Sequence, residues 1–190
     1  MENTKTEIEK SPMNYCTHCG YSLSVCVPPG DERPRHVCKK CGAIHYENPK
    51  MVVGTIPQYK GQILMCRRAI EPRVGFWTLP AGIMENNETV EEGAVRETLE
   101  EVGAHATKLK LFALFNLPFI SQVYLMFLAD IPFCEFSPGH ESLEVRFFGQ
   151  SEIPWDEIAF PVIEETIRRY VVALRKRDFS FHIDTITHRL

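Results

Sequence analysis

Four stretches of this chain of 190 residues are rich in apolar residues over six to nine positions, a pattern that predicts β-strands. These stretches are residues 51–56, 63–68, 108–116 and 122–130. Lys60-Gly61 separates the first two, and such a pair is typical of a hairpin turn. The chain is therefore expected to form a sheet in which the first two strands are antiparallel.

Two longer stretches have the spacing of amphipathic helices. The first covers residues 88–102, and Gly103 follows it as a stop signal. Its apolar side chains available for packing are Val90, Ala94, Val95, Leu99 and Val102. The second covers residues 161–177, with Pro161 in its first turn and a basic end that suits the helix dipole.

The first of these helices carries a cluster of acids. Glu97, Glu100 and Glu101 are related as i, i+3 and i+4, so on a helix their carboxylates share one face. Carboxylates at this spacing repel one another, and a hard cation such as Mg²⁺, which prefers oxygen ligands, would relieve the repulsion. The alternative is an acidic face turned to solvent, and the three carboxylates alone favour that alternative.

The longer pattern around the acids reverses this preference. Its fixed polar and glycine positions are Gly82, Glu88, Arg96, Glu97, Glu100, Glu101 and Gly103. Their order and spacing resemble the Nudix box, the loop–helix signature of hydrolases that cleave nucleoside diphosphates linked to another moiety. Thr98 stands where that family prefers an aliphatic residue. The resemblance implies an α+β fold, the Nudix α/β/α sandwich with a mixed sheet.

The same resemblance implies roles for individual residues. Glu97 and Glu101, with the main-chain carbonyl of Ala81, would bind Mg²⁺ or Mn²⁺. Glu100 would be a further ligand or a supporting carboxylate. Arg96 would orient Glu97 through a charge-assisted hydrogen bond. Further support of the loop and helix would come from Gly82, Glu88 and Gly103.

One more acid is expected from a loop beyond the box. Nudix enzymes often place a glutamate shortly before an aromatic strand, as a metal ligand or general base. By motif position Glu141 is the first choice here and Glu144 the second. Taken alone, either residue would be interpreted as an acid on a surface loop.

Four of the seven cysteines form two Cys-x-x-Cys pairs, Cys16 with Cys19 and Cys38 with Cys41. This spacing predicts a Cys₄ zinc ribbon over residues 14–47, and the metal would stabilise a segment too short to bury much apolar surface. We expect the ribbon to be structural or a dimer contact, with nucleic-acid or partner binding as the alternative. The total of seven cysteines is odd and four of them have metal-ligand spacing, which favours a reducing compartment over a disulfide framework, so we expect a cytoplasmic protein.

The remaining organisation follows from composition. Residues 1–13 are polar and predicted to be disordered, without the apolar core of a secretory signal. A Nudix domain is expected over residues 48–178, and a tail over 179–190 would dock on the domain or on a second subunit. The net charge of −4 makes nucleic acid an unexpected partner, and no apolar run reaches the roughly 20 residues of a membrane span. The apolar content is compatible with a homodimer.

The flanks of the box indicate a substrate. A zinc ribbon before the box resembles the group that includes NADH pyrophosphatases, but residues 117–124 read LPFISQVY in place of the Ser-Gln-Pro-Trp-Pro-Phe-Pro motif of those enzymes. Most of the chain resembles plant chloroplast FAD pyrophosphatases and their bacterial relatives, which implies hydrolysis of FAD to FMN and AMP. NADH and ADP-ribose are the alternative substrates. The alternative of another class is a binding or regulatory protein on an inactive Nudix scaffold.

Overall fold

The computed structural model describes residues 13–133 and 135–187 of the chain. The predicted disordered segment 1–13 lies outside the described residues except for Met13. The chain divides into two compact units between Asn48 and Pro49. Across the described ranges, no helix is long and apolar enough to cross a membrane.

The first unit contains a small antiparallel sheet. Its strands, in spatial order, are β1 (Leu23–Cys26), β2 (Arg35–Cys38) and β3 (Ile44–His45). A turn joins β1 to β2, and in it the main-chain N–H of Asp31 donates to the oxygen of Pro28 at 3.1 Å. The short strands and the turn agree with the pattern expected of a metal-held ribbon.

The second unit is a mixed sheet with two helices. The strands are β4 (Lys50–Tyr59), β5 (Gln62–Arg68), β6 (Trp77–Thr78), β7 (Ala81–Ile83), β8 (Thr107–Leu117), β9 (Gln122–Asp130), β10 (Ser142–Phe148) and β11 (His182–Thr185). The helices are α1 (Val90–Val102) and α2 (Pro161–Lys176). The main strand order is β10-β5-β4-β9-β8-β11, with β6 beside β5 and β7 beside β4. The pairs β4–β9 and β8–β11 are parallel, and the remaining pairs are antiparallel.

Alternate residues of β5 pack on opposite faces of this sheet, as strand geometry requires. Ile63 and Met65 belong to the apolar cluster that includes Ile167 of α2. Leu64 belongs to a second cluster that includes Val102 of α1. Each face of the sheet therefore packs against one helix, which confirms the α/β/α sandwich and the mixed sheet predicted from the sequence.

Helix α1 begins two residues later than the sequence predicts. Thr89 is its N-cap: its hydroxyl accepts the N–H of Glu92 at 3.1 Å, and the Glu92 carboxylate accepts the N–H of Thr89 at 2.8 Å. This reciprocal capping box ends the preceding loop at Thr89 and leaves Glu88 in that loop. The helix ends as predicted, at Gly103, whose φ of 63° is left-handed.

The face that α1 turns toward the sheet also differs from the prediction. Leu99 was expected to pack, but it is 41% exposed, whereas Thr98 is fully buried. The buried face instead includes the two acids Glu97 and Glu101. The spacing of apolar residues does not predict this buried face, because two of the positions that point toward the sheet are charged.

The C-terminal segment contributes to the sheet. Strand β11 runs parallel to β8, with His182 opposite Ala113 and Thr185 opposite Asn116. Arg169 of α2 forms an ion pair with Asp184 of the same strand. The segment thus docks on the sheet of its own chain, the first of the two arrangements that the sequence left open.

Candidate active site

Arg96 organises the loop that leads into helix α1. Its Nε and Nη2 donate to the two carboxylate oxygens of Glu88 at 2.9 and 2.8 Å. Its Nη1 donates to Glu97 at 2.7 Å and to Glu100 at 3.1 Å, while Nη2 also reaches the main-chain oxygen of Ile83 at 3.2 Å. The bond from Arg96 lowers the pKa of Glu88 to about 2, so Glu88 is ionised across the working pH range. One guanidinium therefore holds the loop, the strand and the helix together.

Glu97 and Glu101 lie one helical turn apart on the buried face of α1. Each is 8% exposed, whereas the side chain of Glu100 is 58% exposed. Burial raises the pKa of Glu97, and burial together with the charge of Glu97 raises the pKa of Glu101 to about 7. Two buried carboxylates, each with its pKa raised mainly by burial, therefore lie together on one face of the helix.

The backbone of β7 lies directly against these carboxylates. A Cβ atom on Gly82 would stand 2.3 Å from the Glu97 carboxylate, so only glycine permits this approach. The N–H of Ala81 donates to Oε2 of Glu101 at 3.3 Å. The main chain at Ala81 is thereby close to Glu101, as a shared metal site would require.

A pair of buried hydroxyls fastens α1 to the central strand β4. Thr98 Oγ1 donates to the oxygen of Ala94 at 2.7 Å, so it is free to accept from Thr55 Oγ1, also at 2.7 Å. Both threonines are fully buried. Thr98 stands where the family prefers an aliphatic residue, and its hydroxyl has a hydrogen-bond partner in Thr55 on the facing strand.

The loop before β10 is tied to the C-terminal end of α1. The N–H groups of Ser137 and Gly139 donate to the main-chain oxygens of Val102 and Glu101 at 3.0 and 3.1 Å. These bonds satisfy carbonyls that the helix itself leaves unpaired. They place Glu141 where its charge contributes to the raised pKa of Glu97.

Glu144, the second choice from the sequence, is directed elsewhere. It lies opposite Arg67 in the β5–β10 pair, and its carboxylate is 3.9 Å from Nη1 of that residue. Both side chains are more than 40% exposed. The structure therefore brings Glu141 toward the buried acids and leaves Glu144 in a surface ion pair.

Sequence reasoning missed two residues on the same face of β5. The Sγ of Cys66 is 3.5 Å from Oε2 of Glu101. The charge of Arg68 lowers the pKa of Glu101 toward its ordinary value, and its guanidinium stacks over Phe160 at 5.0 Å. Strand alternation places positions 66 and 68 together, but their common face is identified only by the helix that packs on it.

The four ribbon cysteines form a second site. All four sulfurs lie within 4.8 Å of one another, and Cys38 and Cys16 are buried. Bonds from the main chain of Cys41 and Lys40 lower the pKa of Cys38 to about 6, which favours the thiolate that binds metal. The donor set and its spacing fit a structural zinc ion. Among the described residues, the carboxylate oxygens of the α1 acids do not form a group as close as that of the four sulfurs.

The carboxylate site nevertheless fits a hard divalent ion. Its donors are oxygens from Glu97, Glu101 and the nearby main chain of Ala81. Both acids are buried and carry raised pKa values, so a cation would compensate charge that the fold leaves partly unbalanced.

Comparison with known proteins agrees with this architecture. The family profile described as NUDIX domain matches residues 49–169, and the profile described as Nudix N-terminal matches residues 14–47. The chain belongs to the Nudix hydrolase family. A solved Nudix hydrolase from Nitrosomonas europaea is 48% identical and superposes with a TM-score of 0.89, covering 93% of this chain and 100% of its own.

Curated Nudix relatives have more specific names. An NAD-capped RNA hydrolase NudC from Vibrio parahaemolyticus is 31% identical over 135 residues, which are 68% of this chain and 52% of the relative. An ADP-ribose pyrophosphatase from Methanocaldococcus jannaschii is 30% identical over 66% of this chain and 75% of its own length. This Nudix chain thus spans about half the length of the NudC proteins that it matches.

Proposed function

We propose that this protein is a divalent-metal-dependent pyrophosphatase that cleaves the P–O–P bond of adenosine 5′-diphosphate joined to a second group, releasing AMP. The observation that carries the proposal is the pair of buried carboxylates, Glu97 and Glu101, with Arg96 bonded to Glu97 at 2.7 Å. A protein that only needed a stable helix would gain nothing from two acids on its buried face.

Glu97 and Glu101 would hold the ion, with the carbonyl of Ala81 and the more exposed Glu100 as further ligands. When bound, Mg²⁺ or Mn²⁺ would polarise the bridging phosphate and favour ionisation of an attacking water. Arg96 keeps Glu97 in place, because its guanidinium is itself anchored on Glu88 by two bonds.

Glu141 is our first choice for the general base, and Glu144 our second. Glu141 is exposed and close enough for its charge to raise the pKa of Glu97, so it can reach water at the edge of the site. A carboxylate there would accept the proton of the water that attacks the phosphorus. The ion pair of Glu144 with Arg67 supports the order of these choices.

The substrate class that we favour is NADH or ADP-ribose. The names of the NudC and ADP-ribose pyrophosphatase relatives support this choice over FAD. FAD is the second candidate, because residues 117–124 lack the Ser-Gln-Pro-Trp-Pro-Phe-Pro motif of NADH pyrophosphatases. All three compounds contain adenosine 5′-diphosphate and would release AMP.

The test is a comparison of kcat/KM for NADH, ADP-ribose, FAD and NAD-capped RNA with saturating Mg²⁺, following AMP or the shortened RNA. We expect NADH or ADP-ribose to exceed FAD. A higher kcat/KM for FAD would replace our first choice with the second. Turnover of the capped RNA alone would show that recognition requires the nucleic acid.

A paired substitution separates the enzyme from a regulatory protein on an inactive scaffold. Glu100→Gln with Glu101→Gln should abolish Mg²⁺-dependent hydrolysis while circular dichroism shows a retained fold. Glu91→Gln is the matched control, because Glu91 is an exposed acid in the first turn of the same helix. Unchanged hydrolysis in the double variant would remove these glutamates from the mechanism.

We further propose that residues 14–47 serve as a structural zinc ribbon. The close grouping of its cysteines within 4.8 Å supports that role. We also propose that the protein is cytoplasmic and that it forms a homodimer. Sedimentation of the zinc-loaded protein tests the homodimer.

A further inference from the structure

We propose that the thiol of Cys66 is a positioning residue for the metal site: it holds one carboxylate oxygen of Glu101 and leaves the other oxygen for the ion. The inference rests on the proposed function, since it assigns Glu101 to a divalent ion. It extends that function to a residue outside the Nudix box.

The geometry begins at Oε2 of Glu101. This oxygen lies 3.5 Å from Sγ of Cys66 and 3.3 Å from the N–H of Ala81. Both hydrogen bonds that the described residues make to Glu101 end on Oε2. A carboxylate held by two donors at one oxygen presents its second oxygen in a defined direction.

The thiol is the donor in this contact. Cys66 is 1% exposed, and its S–H faces Oε2 of Glu101, because a carboxylate oxygen accepts hydrogen bonds and the thiol supplies the proton. The sulfur also lies 3.8 Å from the main-chain oxygen of Thr78. A thiol has a single proton, and the carboxylate is the nearer acceptor and can carry a charge.

A buried hydroxyl on the neighbouring strand provides a second observation. Ser142 is 9% exposed, and its Oγ is buried without a hydrogen-bond partner among the described residues. Ser142 lies opposite Arg68 in the pair of strands β5 and β10, and Cys66 is two residues from Arg68 on the same face of β5. An unpaired buried hydroxyl costs free energy, so a face selected only for packing would not contain one. The face of the sheet that carries Cys66 therefore holds a second polar side chain, Ser142, in addition to the thiol that contacts Glu101.

The competing explanation is that Cys66 only fills space in the cluster that contains Leu64 and Val102. The two explanations differ in what a serine would do. A hydroxyl can still donate to Glu101, although burying it in an apolar cluster costs stability. If Cys66 positions Glu101, Cys66→Ser should bind the metal ion more tightly than Cys66→Ala although it is the less stable of the two. Packing predicts that affinity simply follows stability.

The experiment measures Mn²⁺ dissociation constants for the zinc-loaded protein by electron paramagnetic resonance, without nucleotide. We expect Cys66→Ala to weaken Mn²⁺ binding by about 10-fold, as loss of a ligand's hydrogen-bond partner commonly does. Cys66→Ser should recover most of the affinity despite a lower urea midpoint. Leu64→Val is the matched control, since Leu64 is fully buried in the same cluster, and it should bind Mn²⁺ as the wild type does.

Equal Mn²⁺ constants for Cys66→Ala and Leu64→Val would overturn the inference, and so would a wild-type protein that binds no Mn²⁺. The proposed function fails separately, if the wild type binds Mn²⁺ but releases AMP from none of the dinucleotides. In that case the dissociation constants still decide whether Cys66 positions Glu101.

Discussion

Gly139 lies so close to helix α1 that a Cβ atom on it would stand 1.7 Å from the main-chain oxygen of Glu100. The contact belongs to the loop that carries Glu141, which is bonded to the last carbonyls of the helix. A side chain at position 139 must therefore move either the loop or the helix, because neither contacting atom is at the end of a flexible side chain.

We expect Gly139→Ala to lower kcat by about 100-fold, the scale of loss for a displacement near 1 Å. Dinucleotide hydrolysis with Mg²⁺ provides the measurement. Gly149→Ala is the control, since the nearest atom to its added Cβ would be a flexible carboxylate oxygen of Glu152 at 3.0 Å. Wild-type kcat for Gly139→Ala would contradict a catalytic role for the Glu141 loop.

Replacing Arg96 with lysine tests the guanidinium fork. Lysine keeps the charge but cannot bond Glu88 through two nitrogens while also holding Glu97. We expect Arg96→Lys to weaken Mn²⁺ binding by about 10- to 100-fold. Arg168→Lys is the matched control, because Arg168 also bonds a carboxylate through two nitrogens, but on the exposed face of α2. Similar Mn²⁺ constants for the two variants would show that charge alone suffices.

The buried threonine pair predicts a non-additive effect on stability. Thr98→Val leaves the hydroxyl of Thr55 without its acceptor in a fully buried position, at a cost of about 1–3 kcal/mol. The double variant Thr55→Val with Thr98→Val removes both hydroxyls, so it should be more stable than Thr98→Val alone. Urea denaturation of the two singles and the double measures this coupling. Additive losses would mean that the hydroxyls act independently.

The raised pKa of Glu101 predicts a pH-dependent stability for the metal-free carboxylate site. The ordinary value of 4.5 rises to about 7, so between these values the folded protein holds a proton that the unfolded chain releases. The contribution of Glu101 to the free energy of unfolding should therefore be complete below pH 4.5. It should fall by roughly 3 kcal/mol as the pH rises through 7. Mg²⁺ should stabilise the protein more at pH 8 than at pH 5, because protons compete with the ion.

Thermal unfolding of the zinc-loaded protein, with and without Mg²⁺, measures this dependence. Glu101→Gln is the reference, since a glutamine does not titrate, and the difference in Tm between the two proteins isolates Glu101. Parallel curves of Tm against pH for the wild type and the variant would contradict the prediction.

Zinc content tests the ribbon. We expect about one zinc ion per chain, lost in Cys38→Ser, because each ligand of a tetrahedral site is required. Cys26→Ser is the control: Cys26 is exposed and lies outside the group of four sulfurs. Zinc retained by Cys38→Ser, or absent from the wild type after growth with zinc, would contradict a structural ribbon.

The sequence by itself determined the family and the kinds of residues at the site. The spacing of the box residues and of the cysteine pairs is local, so a helix or a knuckle of known geometry converts it directly into proximity. The hairpin turn at Lys60-Gly61, both helices and the four strands β4, β5, β8 and β9 were predictable for the same reason.

Only the tertiary structure decided which side of α1 is buried. Apolar periodicity predicted that Leu99 packs, but the sheet covers Glu97 and Glu101 instead. The contacts of Cys66 with Glu101 and of Gly139 with Glu100 join residues about 35 to 40 positions apart, through strand register and loop closure. Such contacts depend on how elements pack against one another, and no short-range pattern of residues specifies that packing.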